Sequence, residues 1–85
     1  MQQLTEEQLF KNLIEQFYQS ALIYLGKTVN PQTKKTEKNL FNANYFAGML
    51  KMMLNKTKGN LSFDEKQVLE NYIKHIDELF GEENN

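Results

Sequence analysis

The sequence predicts an all-α fold: three helices, the second and third joined in a tight hairpin, in a helical-bundle homo-oligomer. Three observations predict it. Apolar residues recur at helical spacing in three separate segments, each segment is preceded by a residue able to cap a helix, and Thr57-Lys58-Gly59-Asn60-Leu61-Ser62-Phe63-Asp64-Glu65 stops one helix and starts the next within about four residues. This gives one helical domain over residues 1–80, with helices at about 6–25, 40–58 and 63–80, and a disordered tail at 81–85.

The first helix is capped by Thr5, with Gln8 three residues on completing a capping box, and is stopped by Gly26. Leu9, Phe10, Leu13, Ile14, Phe17, Ala21, Tyr24 and Leu25 fall on one broad stripe, with Tyr18 at its edge. Leu22 and Ile23 break the pattern by carrying apolar surface toward the polar side, so something outside the stripe must cover them.

Residues 27–38 read as a polar loop whose turn contains the single proline, Pro31. Asn39 then caps the second helix, which ends where Gly59 can take the left-handed conformation. From Leu40 to Leu54, 11 of 15 residues are apolar, too many for one stripe. Ala43, Phe46, Ala47, Leu50, Met53 and Leu54 make the main face, and Phe41, Tyr45, Met49 and Met52 a second. A helix apolar on two sides is buried on two sides, and with only two other helices in the chain the second face is expected to meet another subunit. Gly48 costs about 1 kcal/mol relative to Ala inside a helix, which points to close approach by a neighbouring backbone.

The third helix opens with the box Ser62-Phe63-Asp64-Glu65 and carries a clean stripe of Val68, Leu69, Tyr72, Ile73, Ile76, Leu79 and Phe80. Gly81 is read as its stop.

With 85 residues, 40% of them hydrophobic and 25% charged, the chain suits one small soluble domain that buries only roughly 60–65% of its unfolded surface, a reason for it to associate. The absence of Cys removes disulfides, thiolate metal sites and Cys nucleophiles, and fits a reducing, cytoplasmic setting. No basic n-region and no apolar run of about 18 residues is present, so neither export nor a transmembrane segment is expected.

The net charge of −1 hides an uneven distribution: residues 1–26 carry −2, residues 27–58 carry +6, and residues 59–85 carry −5. Lys27, Lys34, Lys35 and Lys38 are therefore candidates for an anionic partner, whether an acidic protein, an RNA backbone or lipid headgroups. All ten basic residues are Lys, however, and without the bidentate fork of Arg a nucleic-acid role is disfavoured.

No catalytic, cofactor-binding or metal-binding constellation emerges, and the chain is not expected to be an enzyme. His75 is the sole histidine and sits at the border of a helical stripe, away from any ligand spacing. Adjacent acids such as Glu6-Glu7 and Asp77-Glu78 point about 100° apart on a helix and do not share a substrate. Tyr18, Tyr45 and Tyr72 read as rings packed against apolar faces, with their hydroxyls at the rim.

Ala21-Leu22-Ile23-Tyr24-Leu25-Gly26, Asn30-Pro31-Gln32-Thr33, Gly48-Met49-Leu50 and Thr57-Lys58-Gly59-Asn60-Leu61-Ser62 together resemble the small bacterial family called domain of unknown function 1844. The resemblance is collinear over most of the chain. It implies a short, cytoplasmic, helical protein and supplies no catalytic residue. In that family the turn looks like Asn-Pro-x-Thr-Gly-Lys; here Lys34 stands at the glycine, which argues against a tight glycine turn and for a looser loop.

The residues thus converge on a non-enzymatic protein that self-associates, most simply as a dimer, through Phe41, Tyr45, Met49 and Met52, with Leu22 and Ile23 beside them. Partner binding or scaffolding would be its role, and binding of nucleic acid or an anionic surface through the Lys-rich centre is the alternative.

Overall fold

Thr5 begins the first helix as the capping box requires: the Gln8 backbone N–H donates to Thr5 Oγ1 at 3.1 Å, and Gln8 Oε1 accepts from the Thr5 backbone N–H at 2.8 Å. The computed structural model describes residues 3–83 and contains α1 (Glu6–Tyr24), β1 (Leu25–Asn30), β2 (Lys35–Lys38), α2 (Leu40–Lys56) and α3 (Phe63–Glu83). The fold is therefore mixed α and β, which corrects the all-α expectation.

The correction lies in the segment read as a loop. β1 and β2 pair antiparallel, with Val29 opposite Thr36, Asn30 opposite Lys35, and an irregularity between Leu25 and Val29. Composition concealed the strands, because Thr28 and Asn30 face the protein while Lys27 and Val29 face water, the reverse of the polarity that marks a half-buried strand. Nor is the connection loose. The Lys34 N–H donates to Asn30 O at 2.8 Å, the Gln32 N–H to Asn30 Oδ1 at 2.9 Å, and Thr33 Oγ1 to Glu37 Oε1 at 2.6 Å. Lys34 itself takes φ +63°, the left-handed conformation that glycine adopts without strain. The tight turn forms with a lysine in it.

Gly26, at φ +76°, ends α1 and turns the chain into β1. β2 returns it to the same place, where the Asn39 N–H donates to Tyr24 O at 2.8 Å. Asn39 Oδ1 then caps α2 by accepting from the Asn42 N–H at 3.1 Å. Gly59 takes φ +82° after α2, and Ser62 and Glu65 form the reciprocal box that starts α3. α3 continues through Gly81 to Glu83 rather than stopping at Phe80, so the expected tail is helical as far as Glu83; its last two residues lie outside the described ones, as do Met1 and Gln2.

Ser62 Oγ meets Glu7 Oε1 at 2.6 Å at one end of the bundle, while Lys27 and Lys38 reach Glu82 and Glu83 at the other. α1 and α3 thus run in the same direction, and α2 runs back between their ends. Ile14, Ala21 and Leu25 meet Ala43, Ala47 and Leu50 of α2 and Leu69 and Ile76 of α3 in one apolar core, all at most 3% exposed. Leu22 belongs to this core at 8% exposure and Ile23 is half-buried; both strands lie against α1, so the cover that the sequence demanded comes from the chain itself.

The arrangement is open for its size. The radius of gyration is 13.8 Å, where a compact chain of this length has about 12 Å.

Candidate functional site

α2 places two apolar faces on opposite sides of one helix. Leu50, Ala43 and Ala47 point into the core, and at about 100° per residue Phe41, Tyr45, Gly48 and Met52 fall opposite Leu50. They recur at alternating intervals of four and three residues, the spacing that keeps a stripe straight along a helix surface. Phe41 is 84% exposed, Tyr45 59% and Met52 41%, with Met49 half-buried at the edge. These four are the residues the sequence singles out on the second face, and the structure leaves three of them exposed along one strip, with Met49 only partly open beside it. Leu22 and Ile23 are not part of it.

The strip has a firm base. Phe46 lies parallel to Tyr24 at 5.8 Å between ring centroids, tilted to Phe17 at 6.2 Å, and edge-on to Tyr45 at 5.2 Å. Tyr45 is thereby held against the α1–α2 seam while keeping most of its surface in water. Next to this seam, Leu9 and Leu13 of α1 are also exposed and, with Thr57 and Leu61, border a shallow depression. Sequence reading assigned both leucines to the buried stripe; they sit at its exposed margin. Gly48 does not meet a neighbouring backbone within the chain, since a methyl group placed on it finds no atom within 4 Å.

The four candidate lysines divide into two pairs. Lys38 donates to Glu83 at 2.8 Å and Lys27 lies 3.7 Å from Glu82, so the base of the hairpin is tied to the acidic end of α3. The hydrogen bond from Lys38 holds the Glu83 carboxyl below its ordinary 4.5. Lys34 and Lys35 stand exposed at the hairpin tip.

A third grouping joins α1 to α3. Tyr18 stacks on Tyr72 at 4.1 Å and its hydroxyl lies 2.5 Å from His75 Nδ1. Burial raises both tyrosines above the usual phenol range, and Glu15 adds to the effect at Tyr72. The sequence gives no sign of this pairing, because its members are 57 residues apart. It fastens the two parallel helices. Among the described residues no three His, Asp or Glu side chains converge as a metal-holding group, and no helix is long and apolar enough to cross a membrane.

The family whose model carries the description "Domain of unknown function (DUF1844)" matches residues 7–82, which takes in both strands, α2, and all but the first residue of α1 and the last of α3. No curated protein and no solved structure matches the chain.

Proposed function

This chain belongs to the DUF1844 family, and from that premise, which assigns no activity, we propose that it is a non-enzymatic cytoplasmic interaction module that works as a homo-oligomer, most simply a dimer. The observation that carries the reading is the second face of α2. Phe41 and Tyr45 keep more than half of their surface in water and Met52 41%, on the side opposite the core, in a chain whose other helices are already committed to that core. Three large side chains aligned on one helix are what a partner helix needs as anchors.

Sedimentation equilibrium at micromolar concentration tests the proposal. A mass of twice the 10.0 kDa chain is expected, and a stable 10.0 kDa monomer would remove it. Met52→Lys weakens assembly while Lys74→Ala, on an exposed face of α3, does not; equal behaviour of the two would count against the assigned face.

A second reading, attraction to an anionic surface, rests on Lys34 and Lys35 at the hairpin tip. It is the weaker one, because Glu82 and Glu83 offset Lys27 and Lys38. Binding to RNA or anionic vesicles at low salt, lost steeply as salt is raised, would favour it.

A further inference from the structure

We infer that the occupant of the outer face of α2 is the same face of a second copy, crossing antiparallel with the twofold axis at Gly48. This rests on the self-association proposed above and specifies its geometry.

The area argues for a second copy. The chain exposes 6162 Å², whereas a compact protein of 10.0 kDa exposes about 5,200 Å². The excess is as large as the ~800 Å² that each partner contributes to a standard stable interface. The stripe also meets the requirement of a twofold contact that one patch complement itself. Gly48 lies near its middle, with Tyr45 and Met52 on either side; a twofold at Gly48 sets the Tyr45 ring of one copy against Met52 of the other.

Gly48 sets the distance. With no side chain there, and nothing beyond its own helix backbone within 4 Å of where a Cβ would sit, the two helices approach closely at that point. The helix-propensity cost of an interior glycine, unexplained by anything inside one chain, then has a cause.

Charge sets the direction. α2 carries Lys51 and Lys56 and no acid, and Lys51 is held 2.9 Å from Asp77 of α3. A parallel pair would place the two Lys56 ammonium groups side by side and align the helix dipoles unfavourably. In the antiparallel pair the Lys56 residues stand about 24 Å apart, at 1.5 Å per residue, and each lies near the Phe41 ring of the other copy.

The chain has no cysteine, so single-site disulfide trapping has a clean background. Gly48→Cys is expected to form a covalent dimer on mild oxidation. Asn55→Cys is not, because its two copies would lie about 21 Å apart, far beyond the ~7 Å limit for a bridge. Gly48→Leu is expected to raise the dimer dissociation constant about tenfold or more while leaving the monomer folded by circular dichroism, since its own chain offers no clash. Ready trapping of Asn55→Cys would overturn the antiparallel arrangement. A wild-type dimer indifferent to Gly48→Leu and untrapped by Gly48→Cys would overturn the crossing and leave self-association standing. A wild-type monomer would overturn both.

Discussion

Replacing Phe41 with Ala removes the most exposed large side chain of the outer face of α2, a ring 84% open to water. Fully burying a Phe side chain is worth about 1.5–3 kcal/mol, so covering what remains open here contributes about 1.3–2.5 kcal/mol per copy. In a twofold dimer the loss occurs twice, about 2.5–5 kcal/mol, which raises the dissociation constant by roughly two to three and a half powers of ten at 1.4 kcal/mol per decade. The isolated chain should not suffer: the ring adds little to the core, and Ala is a better helix former than Phe. Sedimentation equilibrium over a range of loading concentrations reads the first effect, and thermal unfolding of dilute protein reads the second. Because dimerisation stabilises the fold by mass action, the wild-type melting temperature should rise with concentration and that of Phe41→Ala should not. An unchanged dissociation constant would refute the assignment of Phe41 to an interface. Loss of the monomer fold would instead show that Phe41 supports the core, contrary to its exposure.

Lys34→Gly should stabilise the chain by about 0.5–1 kcal/mol in urea unfolding, since it removes a left-handed strain of about 1–2 kcal/mol and returns part of that through a more flexible unfolded state. Leu50→Ala, at a fully buried position facing the other two helices, should cost about 2–5 kcal/mol by the same assay and serves as the core reference against which outer-face substitutions are compared. Acidification should loosen the hairpin from the end of α3. The Glu83 carboxyl is held below its ordinary value, so its contribution is present above that value and is lost as pH falls through the lowered one. Chemical shifts of Lys38 and Glu83 should move together across that acidic range in the wild type, while in Lys38→Met the Glu83 shift should titrate nearer its ordinary value.

The helices were legible because their signals are local. Thr5 with Gln8, Asn39, Gly59, and Ser62 with Glu65 each announce a boundary within four residues, and each forms the contact its chemistry calls for. The two faces of α2 were likewise legible from periodicity alone. The hairpin was not, because its strands hold one apolar residue beyond Leu25, and that residue, Val29, points outward. What makes them strands is their surroundings: a glycine turn out of α1, a left-handed Lys34, and Glu37 holding the turn through Asn30 and Thr33. The cover over Leu22 was inferred correctly in kind and misassigned in source, since a sequence read without the hairpin has only a second subunit to offer. The extension of α3 past Gly81 was missed for a related reason. Its final turn carries Glu82 and Glu83 at an end that disfavours negative charge, and the compensating Lys27 and Lys38 come from a segment more than forty residues away.

The core among the described residues contains no buried polar or charged side chain. An apolar interior rewards volume and is nearly indifferent to small sliding of one rod along another, so these buried side chains alone do not key the three helices to a single alignment. That task falls to the polar ties around it: Tyr18 with His75 between α1 and α3, Ser62 with Glu7 at one end, and the lysines at the base of the hairpin with the last turn of α3 at the other. Swaps among Leu, Ile and Met within the interior should therefore preserve the fold, whereas cutting the ties at both ends together with the Tyr18–His75 contact should leave a protein that stays helical yet loses its sharp set of side-chain resonances.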